Sequence, residues 1–306
     1  MTEGAERAAA GEPRVAILMY HSFAERLASP ELRPWTISPS QFAEQIAAML
    51  ESGIRLATVG QVPGRLREDA DGRPTAVISI DDAFADVLSV VGTLVAHDVP
   101  ATLFVPTHHV GRTADWLTRG DARRPILGWS DLAGLRDVRV ELGSHGHRHI
   151  AADVNPPRVV FDDARRSVAA FEDHLSMRPV SFAYPFGYED RAARRAIQEA
   201  GFEQACAIRH LAARARDDRF ALPRLYVAPT ADPETLVRMI IEPRPAVVEH
   251  ALRAVSRLRT SARTVLPLGP SGSRRVDTRR LRRRRRASSP IAPTVAVPDE
   301  LSHDGS

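Results

Sequence analysis

Short apolar runs alternate along the chain with segments whose apolar residues recur every three or four positions. Val15 to Tyr20 is a continuous apolar run of strand length that ends on His21 and Ser22. Beyond Ser38 and Pro39, Phe42, Ile46, Met49 and Leu50 fall at helical spacing, and Gly53 stops them. Arg55 to Val59 predicts a strand, and Ala76 to Ile80 predicts another that ends on Asp81 and Asp82. A helix from about Phe84 to His97 and a strand over Ala101 to Val105 follow. A loop then carries Trp116 and Trp129, and Ser130 and Asp131 start a short helix. The next strand, near Val138 to Leu142, runs into Gly143-Ser144-His145-Gly146-His147-Arg148-His149. Pro156 and Pro157 open a helix carrying Phe161, Ala164, Val168, Phe171 and Leu175 on one face. Val180 to Tyr184 reads as a strand closed by Pro185-Phe186-Gly187. A helix over Asp190 to Ala200 and strands over Gln204 to Ile208 and Leu222 to Val227 complete the body.

This alternation predicts parallel strands with right-handed crossovers, closed as a barrel or left as an open sheet, with helices outside. His21, the Asp81–Asp82 pair, the histidine cluster and Pro185-Phe186-Gly187 all follow strand C-termini, the edge where sites form in parallel α/β folds. A chain of 306 residues, 43% hydrophobic and 26% charged, suits one enzyme-sized domain better than a short binding module. No stretch reaches the ~18 consecutive apolar residues of a membrane span. The single cysteine, Cys206, closes no intrachain disulfide, and the N-terminal region carries acids and alanines where a secretory segment needs an apolar run. A cytoplasmic location is the expectation. Residues 1–13 read as a flexible terminus and 14–243 as the body.

The net charge of +4 conceals two regions: residues 244–306 hold fourteen arginines against five acids, which leaves −5 for the rest. The basicity belongs to the tail, so nucleic-acid binding by the body is not expected. Residues 244–263 include an amphipathic pattern, Val248, Ala251, Leu252, Val255 and Leu258, that predicts a helix. Residues 264–306 combine Pro, Gly and Ser with nine arginines between Arg274 and Arg286 and are expected to be disordered. Contact of this tail with an anionic membrane surface, at the inner leaflet, is weighed against a merely solvated extension. The sequence assigns no oligomeric state.

Candidate chemistry gathers at two strand ends. Asp81 and Asp82 follow one apolar strand, and His145 and His149 stand four apart after another. A catalytic zinc keeps three protein ligands and one open position, which one aspartate and two imidazoles supply. The other aspartate is then free to take a proton from a bound water whose pKa the metal lowers toward about 7. Each signal alone has a plainer reading: an Asp pair before a helix is commonly an N-cap, and histidines in a polar loop are commonly solvated, as is assumed for His147. Together, at strand ends of one α/β body, they favour a metal site. His174, His210 and His250 carry no motif and receive no role.

These residues resemble a known family. Ser79-Ile80-Asp81-Asp82-Ala83-Phe84 is similar to its T-F-D-D-G motif, His145 to His149 to its H-[ST]-x-x-H motif, and Ala183-Tyr184-Pro185-Phe186-Gly187 to its R-x-P-[FY]-G motif. This is the polysaccharide deacetylase family, carbohydrate esterase family 4, and the likeness spans roughly residues 15 to 228. The resemblance implies a distorted, incomplete (β/α) barrel of about seven strands. It implies hydrolysis of an N-acetyl group on an amino sugar by a divalent ion, zinc by preference, with Co2+, Ni2+ or Mn2+ as alternatives. Asp82, His145 and His149 would bind the metal and Asp81 would be the general base, with Tyr184, Pro185, Phe186 and Gly187 on the substrate and oxyanion side. No late L-x-H histidine follows Tyr226; Leu18-Met19-Tyr20-His21-Ser22 resembles the permuted biofilm-polysaccharide branch, which makes His21 the candidate acid. Ala83 replaces the motif glycine, Gly146 the hydroxyl residue and Ala183 the arginine that would brace the base. Arg224, in Leu222-Pro223-Arg224-Leu225, is grouped with the substrate-side residues as a substitute for that arginine, a surface or core-edge position being the plainer reading. The departures leave an alternative: a catalytically degraded barrel that binds a glycan or a partner.

Overall fold

A computed structural model describes residues 14–25, 31–68, 72–117 and 123–242. Seven parallel strands form a closed ring: β1 (Arg14–Tyr20), β5 (Thr75–Ile80), β6 (Ala101–Val105), β7 (Val140–Ser144), β8 (Ser181–Ala183), β9 (Gln204–Ile208) and β11 (Leu222–Tyr226). Each pairs with the next, and β1 closes the ring by pairing with both β11 and β5. The β1–β5 seam is the longest, six pairs from Val15↔Thr75 to Tyr20↔Ile80, whereas β7 and β8 meet only at Ser144↔Phe182. At the strand N-termini the ring opens: β4 (Arg55–Ala57) also pairs with the start of β5, and β10 (Ala213–Arg214) runs antiparallel to the start of β1. The ring is therefore tightest toward the C-terminal ends, where the candidate residues lie. A separate two-stranded ribbon, β2 (Ser22–Phe23) with β3 (Thr36–Ile37), follows β1.

Strand parity divides the residues between two cores. Val15, Ile17, Val77, Phe104, Ala183, Cys206 and Leu222 fill the barrel, together with Val62 and Leu66 of helix α2 (Val62–Glu68). The alternate residues of the strands, such as Ala16, Leu18, Ile78 and Leu103, face the surrounding helices α1 (Pro39–Glu51), α3 (Leu88–Ala96), α4 (Trp129–Asp137) and α7 (Pro233–Ile241). A further outer core joins Phe182 and Tyr184 to α5 (Pro157–Leu175) and α6 (Arg191–Glu199). Caps start the helices as the residue types dictate: Ser38, Asp190 and Asp232 accept the N–H groups of Gln41, Ala193 and Thr235.

Several boundaries differ from the expectation for local reasons. The strand at Arg55 stops at Ala57 because Thr58 and Gln61 form a capping box that turns the chain into α2, which the Pro63-Gly64 pair hides from a periodicity reading. The helix expected from Phe84 begins at Leu88, the intervening residues being held in the loop that carries the acid pair and in a short 3-10 turn, Ala85–Val87. Trp129 belongs to α4 rather than to a loop. Helix α7 was not expected at all. The helix proposed within 244–263, the tail 264–306 and the terminus 1–13 lie outside the described residues. Among the described residues no helix is long and apolar enough to cross a membrane.

Candidate metal centre and its carboxylate pair

The last inward position of β5 is Ser79, and the next is Asp81. Ala83, Asp82, Gly146 and His149 adopt the left-handed conformation, with φ of 52°, 72°, 76° and 55°. These reversals turn Asp82 and His149 back over the barrel mouth, at a conformational cost that fits a functional loop. Asp82 Oδ1 lies 3.4 Å from His145 Nε2 and 3.2 Å from His149 Nε2. All three side chains are buried, and their ligand atoms fall within 4.8 Å of one another. Two ligands about 2.1 Å from one tetrahedral ion stand about 3.4 Å apart, close to the spacing of Asp82 Oδ1 from each imidazole.

The donor chemistry agrees. His145 Nδ1 lies 2.8 Å from the Ala183 carbonyl, so it carries the proton and leaves Nε2 as the lone pair. Among the described residues no donor of ordinary geometry reaches the buried Asp82 Oδ1. Burial would raise the Asp82 carboxyl, but the facing His145 and His149 imidazoles hold it well below the usual range. Burial likewise pushes the His149 imidazole down, against the pull of Asp82. One carboxylate oxygen and two imidazole nitrogens suit a divalent transition ion.

Asp81 is held differently. Arg224 reaches it from across the barrel and donates to both oxygens, Nη1 to Oδ1 at 2.6 Å and Nη2 to Oδ2 at 2.8 Å. Burial raises the Asp81 carboxyl, yet Arg224, His145 and His21 together outweigh it and hold the group below its ordinary value. Arg224 is 0% exposed, with its guanidinium 5.8 Å over the Phe104 ring. It is therefore neither a surface arginine nor a substrate-side group, but the brace of Asp81 that Ala183 does not supply. His21 Nε2 lies 3.8 Å from Asp81 Oδ2, its ring beside Trp35 at 4.8 Å, and burial pushes its pKa down.

The remaining expectations divide. Tyr184 turns away from the site: its ring packs in the outer core and its hydroxyl donates to the Phe220 carbonyl at 3.0 Å. The parity that turns Ala183 inward turns Tyr184 outward. Pro185 is buried, and Phe186, at φ 62°, packs its ring edge on His149 at 4.8 Å. Gly187, at φ 75°, has no room for a side chain, since a Cβ would stand 2.2 Å from Ile208. His147 contacts Thr107 rather than the cluster.

With this arrangement in view, a family model described as polysaccharide deacetylase matches residues 68–205. That stretch is what the chain shares in sequence with the polysaccharide deacetylase family. A search of curated protein sequences returns no match. Among solved structures the chain is similar to the Streptococcus pyogenes deacetylase PplD in complex with acetate, with a TM-score of 0.64 and 21% identity over 75% of this chain and 99% of that one. IcaB from Ammonifex degensii gives 0.63 and 20%, over 75% and 98%. The de-N-acetylase from Aggregatibacter actinomycetemcomitans gives 0.61 and 17%, over 74% and 99%. At these identities the likeness establishes the fold.

The sequence offered Arg224 as the substitute for the missing arginine, with a surface or core-edge position as the plainer reading, and its two-residue offset from Leu222 places it inside the barrel with Asp81. One contributor escaped the sequence reading. Trp116, assigned only to a loop, stacks on His149 at 4.2 Å.

Proposed function

We propose that this protein is a metal-dependent hydrolase that removes an N-acetyl group from an amino sugar in a glycan or sugar conjugate. The observation that carries the reading is the convergence of Asp82, His145 and His149 on one buried point, with Asp81 ionised and clamped by Arg224 beside them. The S. pyogenes deacetylase was solved with acetate and the Aggregatibacter protein is a de-N-acetylase, which supports N-acetyl as the group removed. A divalent ion on the three ligands, zinc by preference, supplies Lewis-acid polarisation of the amide carbonyl and acidifies a water.

The chain's own groups do the rest. Asp81 accepts a proton; Arg224 fixes both its oxygens, so the carboxylate is oriented before substrate arrives. His21, kept neutral at rest by burial and with Nε2 3.8 Å from Asp81 Oδ2, takes up the proton released by Asp81 through solvent and delivers it to the departing nitrogen. The Pro185–Gly187 turn, against His149, presents backbone to the developing oxyanion. The alternative of a degraded, merely binding barrel rested on the missing motif arginine, late histidine and motif glycine, and the Arg224 brace weakens the first of these grounds.

Metal analysis of the purified protein, followed by acetate release from N-acetylglucosamine oligomers, tests the proposal. Asp82→Ala is expected to lose both ion and turnover, and an Asp82→Ala protein that keeps full turnover would overturn it. We also place the protein at the cytoplasmic face of the membrane, its arginine-rich segment against anionic lipid.

A further inference from the structure

The two imidazoles of the metal centre are oriented by different means. His145 is fixed by its hydrogen bond to the Ala183 carbonyl, whereas His149 Nδ1 is buried with no hydrogen-bond partner among the described residues. A ligating histidine ordinarily uses its second nitrogen to set the ring plane. At His149 flat rings take that place. The Trp116 indole stacks on it at 4.2 Å with 25° between planes, and Phe186 meets it edge-on at 4.8 Å from a different loop. Trp116 is itself held from behind, by the His109 ring edge at 4.7 Å and by Phe84 at 6.4 Å.

The backbone that presents Trp116 is tied to the backbone that presents Asp82. Between β6 and α4 the chain doubles back, with Gly111 N–H donating to Leu127 O, Ile126 N–H to Arg112 O and Ala114 N–H to Arg124 O. This hairpin is stitched to the acid-pair loop by Leu127 N–H to Ala83 O at 3.0 Å and Ala85 N–H to Pro125 O at 2.9 Å. Arg124 adds an ion pair with Asp86, a hydrogen bond to Ser22 Oγ at 2.7 Å and a guanidinium 5.4 Å over the Phe84 ring. Displacing the indole would therefore require moving the loop that carries another ligand.

We propose that Trp116 is a positioning residue for the metal ligand His149, its indole face substituting for the hydrogen bond that His149 Nδ1 lacks. This rests on the reading of Asp82, His145 and His149 as a metal centre. The test is zinc affinity of the full chain, measured by competition with a chromophoric chelator and independent of turnover. Trp116→Ala is expected to weaken zinc binding about 10–100-fold, the range seen when a ligand loses its orienting partner. Trp116→Phe, which keeps a flat face, is expected to stay within about threefold of wild type by the same reasoning. Should Trp116→Ala fail to accumulate folded, Trp116→Leu, which keeps apolar volume without the ring, carries the same expectation. Wild-type affinity in the Ala or Leu variant overturns the inference, and so does an equal loss in Phe and Ala. A wild-type chain that binds neither zinc nor cobalt removes the metal reading itself, and this inference with it.

Discussion

Asp81 and Arg224 show how one buried pair serves both stability and chemistry. Removing a single partner of such a pair leaves an uncompensated charge, at about 3–5 kcal/mol. Arg224→Met is expected to cost that much at neutral pH, read as a fall in melting temperature. Because Asp81 is held below its ordinary value in the fold, the pair's contribution is present above the unfolded carboxyl pKa and fades as pH falls through the depressed one. The melting gap between wild type and Arg224→Met should accordingly narrow in acid, and a gap unchanged between pH ~7 and ~3 would contradict the assignment. Without the guanidinium, burial is left to raise the Asp81 carboxyl, so the acid limb of the pH–rate profile should move to higher pH. Cys206 offers a contrasting case. It is 0% exposed and burial pushes its thiol up to about 12, so a thiol reagent should label it only after denaturation.

At the scale of elements, the metal loop after β7 depends on a helix. The Asp163 carboxylate, on α5, accepts the N–H groups of His147 at 2.7 Å and Arg148 at 3.0 Å, two of the three residues between the candidate ligands His145 and His149. It also fills the space a side chain would need at Gly146, where a Cβ would stand 2.8 Å from Asp163 Oδ2. That contact accounts for glycine replacing the hydroxyl residue of the motif. Asp163→Ala strands two donors and is expected to cost about 2 kcal/mol, with zinc affinity falling in step, as chelator competition would reveal. Most elements were legible from periodicity: β6 and β9 fall where expected, and the 3,4 pattern of Phe161 to Leu175 is α5. What periodicity missed was short or locally determined. β2, β3 and β10 span two residues each, too few to carry an alternation, and α2 hides behind Pro63-Gly64. The candidate metal ligands Asp82, His145 and His149 were legible because they follow apolar strands. Tyr184 was misassigned, and Arg224, rightly offered as a substitute brace, was grouped with the substrate side, because the two-residue alternation was not carried through β8 and β11. Trp116 could not be placed, since its contact with His149 arises from a hairpin pinned by tertiary bonds.

For the whole molecule, the ring and the charge distribution bear on different questions. Closure through β1 places the first strand between β11 and β5, so His21, Asp81 and Arg224, from the beginning, middle and end of the body, share one barrel mouth. Residues 244–306 hold fourteen arginines and five acids, against −5 for the rest of the chain. Each arginine near an anionic leaflet is worth about 1 kcal/mol and is screened within about a Debye length. Nine arginines between Arg274 and Arg286 therefore suffice for reversible attachment at low ionic strength, while the acidic body would be repelled. The full chain is expected to float with vesicles rich in phosphatidylserine at low salt and to be released as salt rises. Deleting residues 264–306 should abolish flotation yet leave zinc binding and acetate release from soluble oligomers intact. Unchanged flotation after the deletion would refute the membrane placement without touching the catalytic reading, because the two rest on separate parts of the chain.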